Sequence, residues 1–190
     1  MNIILGSKSP RRIQLLEGIF PNKIDILVSE KDEIYPKEIP VHEIPEYLSL
    51  QKAKHILAEN DIKEATLITA DTLVLFRNEV LSKPNNKQEA IEMLKSLSGN
   101  KHSVITGVTI VKNNQFKTFS EKTDVYFKEL TEEEIEYYIE TYAPLDKAGS
   151  YGVQEYIGYI AVYKIEGCYY NIMGLPTSRL YQELNKLGLI

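Results

Sequence analysis

Asn2-Ile3-Ile4-Leu5-Gly6-Ser7-Lys8-Ser9-Pro10-Arg11-Arg12 is the stretch that decides the fold class. Residues 2–6 are a short apolar run and read as a buried strand. Ser9 before Pro10 reads as a helix start: a hydroxyl N-cap, then proline at the first helical position, where its missing N–H costs nothing. Ile13, Leu16 and Ile19 follow at helical spacing, with Leu15 beside them. Strand, tight turn and helix in close succession point to an α/β chain. The alternation continues, with a second strand over 23–29, a polar loop with three prolines over 30–45 and a helix over 46–60.

Residues 66–76 form an apolar, β-branched strand, with a hairpin tip at Asn78-Glu79. A helix over 87–97 ends at Gly99-Asn100. Strands over 103–112 and 115–127 meet across Asn113-Asn114, a two-residue turn. Thr131-Glu132-Glu133-Glu134 is a capping-box start for a helix to Tyr142. Beyond the small-residue loop at 146–152, strands are expected up to Lys164 and over 168–173, and Pro176 opens the last helix. The order gives a mixed α/β or α+β class. With 190 residues, 43% hydrophobic and 26% charged, the chain fits one domain over 1–190.

The single cysteine, Cys168, cannot form an internal disulfide, which fits a reducing compartment. The opening apolar run lacks a basic segment and is too short for a signal peptide. No apolar stretch approaches the ~20 residues that span a bilayer. The chain is therefore expected to be cytoplasmic, with no membrane partner. A net charge of −5 argues against nucleic-acid binding by a broad basic face. A small anion remains open, because a local cationic cluster or bound cation can reverse the field in a cleft.

Four groups of residues carry chemistry. In Ser7-Lys8-Ser9-Pro10-Arg11-Arg12, a strand end feeds a helix N-terminus, where free backbone N–H groups meet anions. Ser7 and Ser9 add hydroxyls, and Arg11 and Arg12 can grip phosphate in a bidentate way. Arginines in a first turn oppose the helix dipole, so an anion site explains them better than a solvated helix end does. Asp71, in Leu67-Ile68-Thr69-Ala70-Asp71-Thr72-Leu73-Val74, is a carboxylate in an apolar strand. It costs several kcal/mol unless paired, hydrogen-bonded or on a metal. A buried ion pair or a strand end in solvent would also explain it.

Asp32, Glu33, Lys52 and Lys83 suit a Mg²⁺–polyphosphate, although each alone reads as a solvated charge. His42, His55 and His102 are isolated and read as structural or exposed. Asp146-Lys147-Ala148-Gly149-Ser150-Tyr151-Gly152-Val153-Gln154 allows close backbone approach, and the Gln154 amide can read a base edge. A plain connecting loop explains that segment equally well.

In order, and across nearly the whole chain, these segments resemble the Maf family of nucleoside triphosphate pyrophosphatases. The resemblance rests on Ser7 to Arg12, Ala70 to Val74 with Leu73 for valine, and Lys83-Pro84. It continues through Thr106-Gly107-Val108, Asp146 to Gln154 with Val153 for isoleucine, and Gly167 to Pro176. It implies a central mixed sheet flanked by helices, with a cleft between two lobes, as in the inosine triphosphatase architecture. It also implies a homodimer and a divalent cation, Mg²⁺ or Mn²⁺.

Carried over residue by residue, Asp71 is the general base and a metal ligand, and Glu33 is a second metal ligand. Ser9, Arg12, Lys52 and Lys83 line the phosphate site beside Ser7. Arg11, Thr72 and Gln154 set base preference. The implied enzyme is a nucleoside triphosphate diphosphatase that turns dTTP and UTP into monophosphate and pyrophosphate. The rival readings are a Maf-like enzyme for methylated nucleotides such as 7-methyl-GTP, and a nucleotide-binding regulator of septum formation that does not hydrolyse. The chain departs from the family pattern at Lys8, usually a small residue, and at Glu155, usually glycine. The stretch from Gln154 to Gly167 is also one residue longer than the commonest spacing.

Overall fold

The computed structural model of the chain describes residues 2–21, 23–31, 34–62 and 64–190. Strand β1 (Asn2–Leu5) buries Ile3, Ile4 and Leu5 and pairs in parallel with β2 (Ile24–Ile26) and β3 (Ala65–Phe76). Parallel neighbours need crossovers, and helices α1 (Pro10–Ile19) and α2 (Ile44–Glu59) lie in the two connections. Strand β3 returns as β4 (Glu79–Leu81) through Arg77-Asn78, at φ 51° and 68°, the left-handed pair of a tight hairpin. The tip therefore lies one residue before the expected Asn78-Glu79, because Glu79 already pairs with Phe76.

Helix α3 (Lys87–Leu97) starts on the Asn86 side chain, which accepts the Glu89 N–H. Strands β5 (Lys101–Lys112) and β6 (Gln115–Phe127) turn at Asn113-Asn114, with φ of 50° and 59°, as the sequence predicts. The expected capping box opens α4 (Glu132–Tyr142): Thr131 accepts the Glu134 N–H, and the Glu134 carboxylate accepts the Thr131 N–H. Strand β7 (Val162–Glu166) pairs antiparallel with β6. Among the described residues the sheet has seven strands in the order β2-β1-β3-β5-β6-β7, with β4 on β3. It is the mixed sheet flanked by helices that the sequence leads one to expect.

Further local expectations change. Residues Tyr156–Ala161 form a helix, α5, rather than a strand, with Ile157 and Ala161 buried one turn apart. Gly158 there lies so close to the Val153 carbonyl that any Cβ would overlap it. That packing overrides the strand preference of Tyr and Ile. Residues Tyr169–Ile172 form a single helical turn, α6, around buried Asn171. Its amide donates to the Val104 carbonyl and the Thr123 hydroxyl, each at 3.0 Å. Ser9 stands at the N-cap of α1, but its hydroxyl makes no capping bond; its N–H donates instead to Ser7 Oγ at 3.2 Å. The last helix, α7 (Thr177–Lys186), follows Pro176 as expected.

The chain forms two compact units from interleaved segments. The first comprises Met1–Thr72, Thr106–Glu121 and Gly174–Ile190; the second comprises Leu73–Ile105 and Lys122–Met173. In the first, Ile4, Ala53, Ile56, Ala65, Leu67 and Val111 make a core cluster. In the second, α3, α4 and α5 pack around Leu94, Leu97, Ile135, Tyr138 and Ile157, all essentially fully buried. No helix among the described residues is long and apolar enough to cross a membrane.

Gly107 of β5 lies against the backbone of Pro45, where a Cβ would overlap the carbonyl carbon and oxygen. Backbone cannot swing aside as a flexible side chain can. Gly107→Ala is expected to lower the stability by about 2–3 kcal/mol in urea unfolding. A wild-type midpoint would refute the close approach.

Candidate active site

The first unit assembles its polar residues by register. Parallel pairing of Leu5 with Ile68, and the bond from Gly6 N–H to the Ile68 carbonyl (2.8 Å), set Gly6-Ser7 beside the polar stretch of β3. Thr69 donates to the Ser49 carbonyl of α2 at 2.7 Å, and Ser49 Oγ lies 2.9 Å from Thr109 Oγ1. One helical step from Ser49, on the same face, comes Lys52. Its ammonium meets Asp71 Oδ1 at 2.6 Å and the Ala70 carbonyl at 3.4 Å. The two side chains are only 18% and 14% exposed, so the pair is screened little by water.

Successive strand residues point to opposite sides, and Thr72 is held by a different helix. Its hydroxyl accepts from Arg12 Nη2 at 2.9 Å and lies 2.9 Å from Thr106 Oγ1. Arg12 also donates through Nε to the Gly174 carbonyl at 2.8 Å and through Nη1 to Ser7 Oγ at 3.3 Å. Gly174 has φ 106°, and a Cβ there would stand 3.3 Å from Arg12 Nε, which accounts for the glycine. Arg11 sits half-buried on the same first turn, Ser7 is buried, and Ser9 is half-buried. Lys8 is exposed and pairs with Glu30 at 2.7 Å. The structure thus makes two groups, Lys52 with Asp71 and Arg12 with Ser7, Thr72 and Thr106, joined through the consecutive residues 71 and 72 of β3. Thr106, which the sequence offers only as part of the Thr-Gly-Val motif, joins the site through its contact with Thr72.

Lys83 and Gln154 belong to the second unit. Lys83 is exposed and Gln154 half-buried. Their segments meet there: Gly149 N–H donates to the Ser82 carbonyl at 3.3 Å, and a Cβ at 149 would lie 3.1 Å from Val74. The glycine of this loop therefore serves protein packing. Ser150 Oγ lies 3.0 Å from Met93 Sδ. The Tyr151 hydroxyl is 2.7 Å from Nε2 of His102, which is buried and packs edge-on against Phe127. Lys147, Glu155 and Tyr138 form a further polar group in this unit, one that sequence reading missed for lack of any local signal. Glu33, expected as a metal ligand, and Asp32 lie outside the described residues.

The family model described as Maf-like protein matches residues 2–187. A relative from Bacteroides thetaiotaomicron, named dTTP/UTP pyrophosphatase, is 48% identical over 188 residues, covering 97% of this chain and 95% of its own. One of the same name from Cytophaga hutchinsonii is 47% identical, covering 98% of this chain and 84% of its own. A third, from Porphyromonas gingivalis, is 44% identical, with 98% and 94% covered. It carries the same name.

Burial lowers the His102 pKa from 6.5 to about 4, against an opposing pull from Asp124. The unfolded chain binds that proton more readily, so the stability His102 contributes is complete above pH 6.5. It declines as the pH falls through the interval down to about 4. Between pH 7 and pH 5, wild type is expected to lose about 2 kcal/mol more stability than His102→Gln in urea unfolding. Identical losses in the two proteins would show that His102 is not held neutral.

Proposed function

This chain belongs to the Maf-like protein family, and on that premise we propose that it hydrolyses dTTP and UTP to the nucleoside monophosphate and pyrophosphate. The observation that carries the reading is Asp71, a shielded carboxylate paired with Lys52, next to a threonine bonded to Arg12. A water oxygen bonds to the α-phosphorus, the bond from that phosphorus to the α–β bridging oxygen breaks, and pyrophosphate leaves with the bridging oxygen. Asp71 orients the water and takes its proton. The triphosphate competes with Asp71 for the Lys52 ammonium, so nucleotide binding turns the carboxylate toward water.

Ser7, Ser9, Arg12, Lys52 and Lys83 neutralise the phosphates as charge moves onto the leaving group. Arg11, Thr72 and Gln154 set the base preference. A divalent cation, Mg²⁺ or Mn²⁺, is part of the reading. Among the described residues no three His, Cys, Asp or Glu side chains cluster. One carboxylate, Asp71, completed by substrate phosphates and waters, would make a donor set that Mg²⁺ ordinarily accepts. Glu33 would be the second protein ligand. When bound, the cation supplies neutralisation of the triphosphate charge. A cytoplasmic location and a homodimer complete the proposal, and light scattering at twice the chain mass is the expected result for the dimer.

Pyrophosphate release from dTTP, UTP, CTP, GTP and 7-methyl-GTP, with Mg²⁺, Mn²⁺ or EDTA, tests the whole reading. Turnover of dTTP and UTP is expected, with loss in EDTA. Asp71→Asn is expected to lower kcat by about a thousandfold while circular dichroism stays native. Undiminished turnover by that variant would remove Asp71 from the chemistry. Preference for 7-methyl-GTP would replace the pyrimidine assignment.

A further inference from the structure

Gln154 stands at the tip of a turn from Gly152 to Glu155, closed by the Glu155 N–H donating to the Gly152 carbonyl at 3.0 Å. Side chains close the same turn a second time. The hydroxyl of buried Tyr138, on α4, accepts the Gly152 N–H at 2.9 Å and donates to the Glu155 carboxylate. The other carboxylate oxygen meets the Lys147 ammonium at 3.1 Å, and that lysine, 9% exposed, also holds Asp146 at 2.8 Å. Glu155 consequently folds back over Gly152, where a Cβ would stand 2.7 Å from its carboxyl carbon. Both ends of the turn hang on one phenol. Burial, and then the bond to Glu155, raise the Tyr138 pKa above the ordinary phenol value, so the hydroxyl stays a donor at any working pH.

We propose that Glu155, acting through Tyr138, is a positioning residue that holds Gln154 where its amide can read the pyrimidine edge. The inference rests on the pyrophosphatase reading above. An amide recognises uracil by donating to the ring carbonyl and accepting from the ring N–H; cytosine reverses both groups. Such a two-point contact tolerates a displacement of only about 0.5 Å. Loosening the turn would therefore remove discrimination between the bases before it disturbed bond cleavage. A role confined to stability would lower the melting temperature and leave the base preference alone.

The test is the ratio of kcat/KM for UTP to that for CTP, measured with melting temperatures in wild type, Tyr138→Phe, Glu155→Ala and Glu155→Gln. Tyr138→Phe and Glu155→Ala are each expected to lower the ratio at least about fivefold, more through KM for UTP than through kcat. Glu155→Gln, which still offers the phenol an acceptor, is expected to stay within about twofold of the wild-type ratio. If Glu155→Ala melts below the assay temperature, Glu155→Asp replaces it. Aspartate keeps a charge for Lys147 but withdraws the carboxylate from the phenol by one methylene, and the same fall is expected. An unmoved ratio in the folded variants overturns the inference alone, as does equal use of UTP and CTP by wild type. Wild type that releases no pyrophosphate from UTP or dTTP overturns the pyrophosphatase reading and the inference with it.

Discussion

A carboxylate within a twelve-residue strand otherwise made of apolar and hydroxyl side chains needs a partner for its charge. Lys52 is that partner, and its placement explains much of the first unit. Helix α2 must lie on β3 so that Ser49 and Lys52 reach Thr69 and Asp71 in step, and the bonds at 2.7 Å and 2.6 Å record the match. Alternate strand residues share a face, and helix residues three apart share a face. The two periodicities coincide over this one step. The tight backbone contact of Gly107 with Pro45 brings the start of the same helix close to β5.

The adjacent residue organises the other helix. Thr72, Ser7 and the Gly174 carbonyl together engage Arg12 through Nη2, Nη1 and Nε. This answers the puzzle of an arginine in a helix's first turn, where the dipole disfavours it. Its planar fork has fixed acceptors at Ser7, Thr72 and Gly174, so the fold itself sets its orientation. Preorganisation of this kind lowers the cost of gripping an anion. A mobile lysine, with its charge on a flexible stem, would not substitute for it.

Local chemistry was legible wherever a few neighbouring residues settle the backbone. Asn113-Asn114, the Thr131 capping box and Pro10 at the start of α1 all form as the sequence predicts. Where distant packing decides, the sequence misled: the Tyr- and Ile-rich stretch around Gly158 reads as strand but coils against Val153, and α6 exists to seat Asn171. At Ser9 the hydroxyl makes no capping bond, and Ser7, two residues away, takes the Ser9 N–H while also meeting Arg12. Within the site, residue types and order were readable, but the pairing was not. Nothing near Asp71 in sequence announces Lys52 as its partner, and nothing near Gln154 announces Tyr138.

The glycine-rich segment before Gln154 invites a reading as a flexible ligand-binding loop, and the second unit argues otherwise. Gly149 and Ser150 both adopt left-handed backbone, at φ 68° and 60°, and both are buried. The loop is tied to the Ser82 carbonyl, Met93, His102 and Tyr138 along its length. Small residues here bring the chain close to its own framework, which makes the segment rigid. Rigidity is what a base-reading amide requires, because a loop that must be ordered at binding spends contact energy on that ordering. Glu155 adds a carboxylate to this framework through Tyr138 and Lys147. Its contact with Tyr138 closes the turn from Gly152 to Glu155 beside the backbone bond between the same two residues.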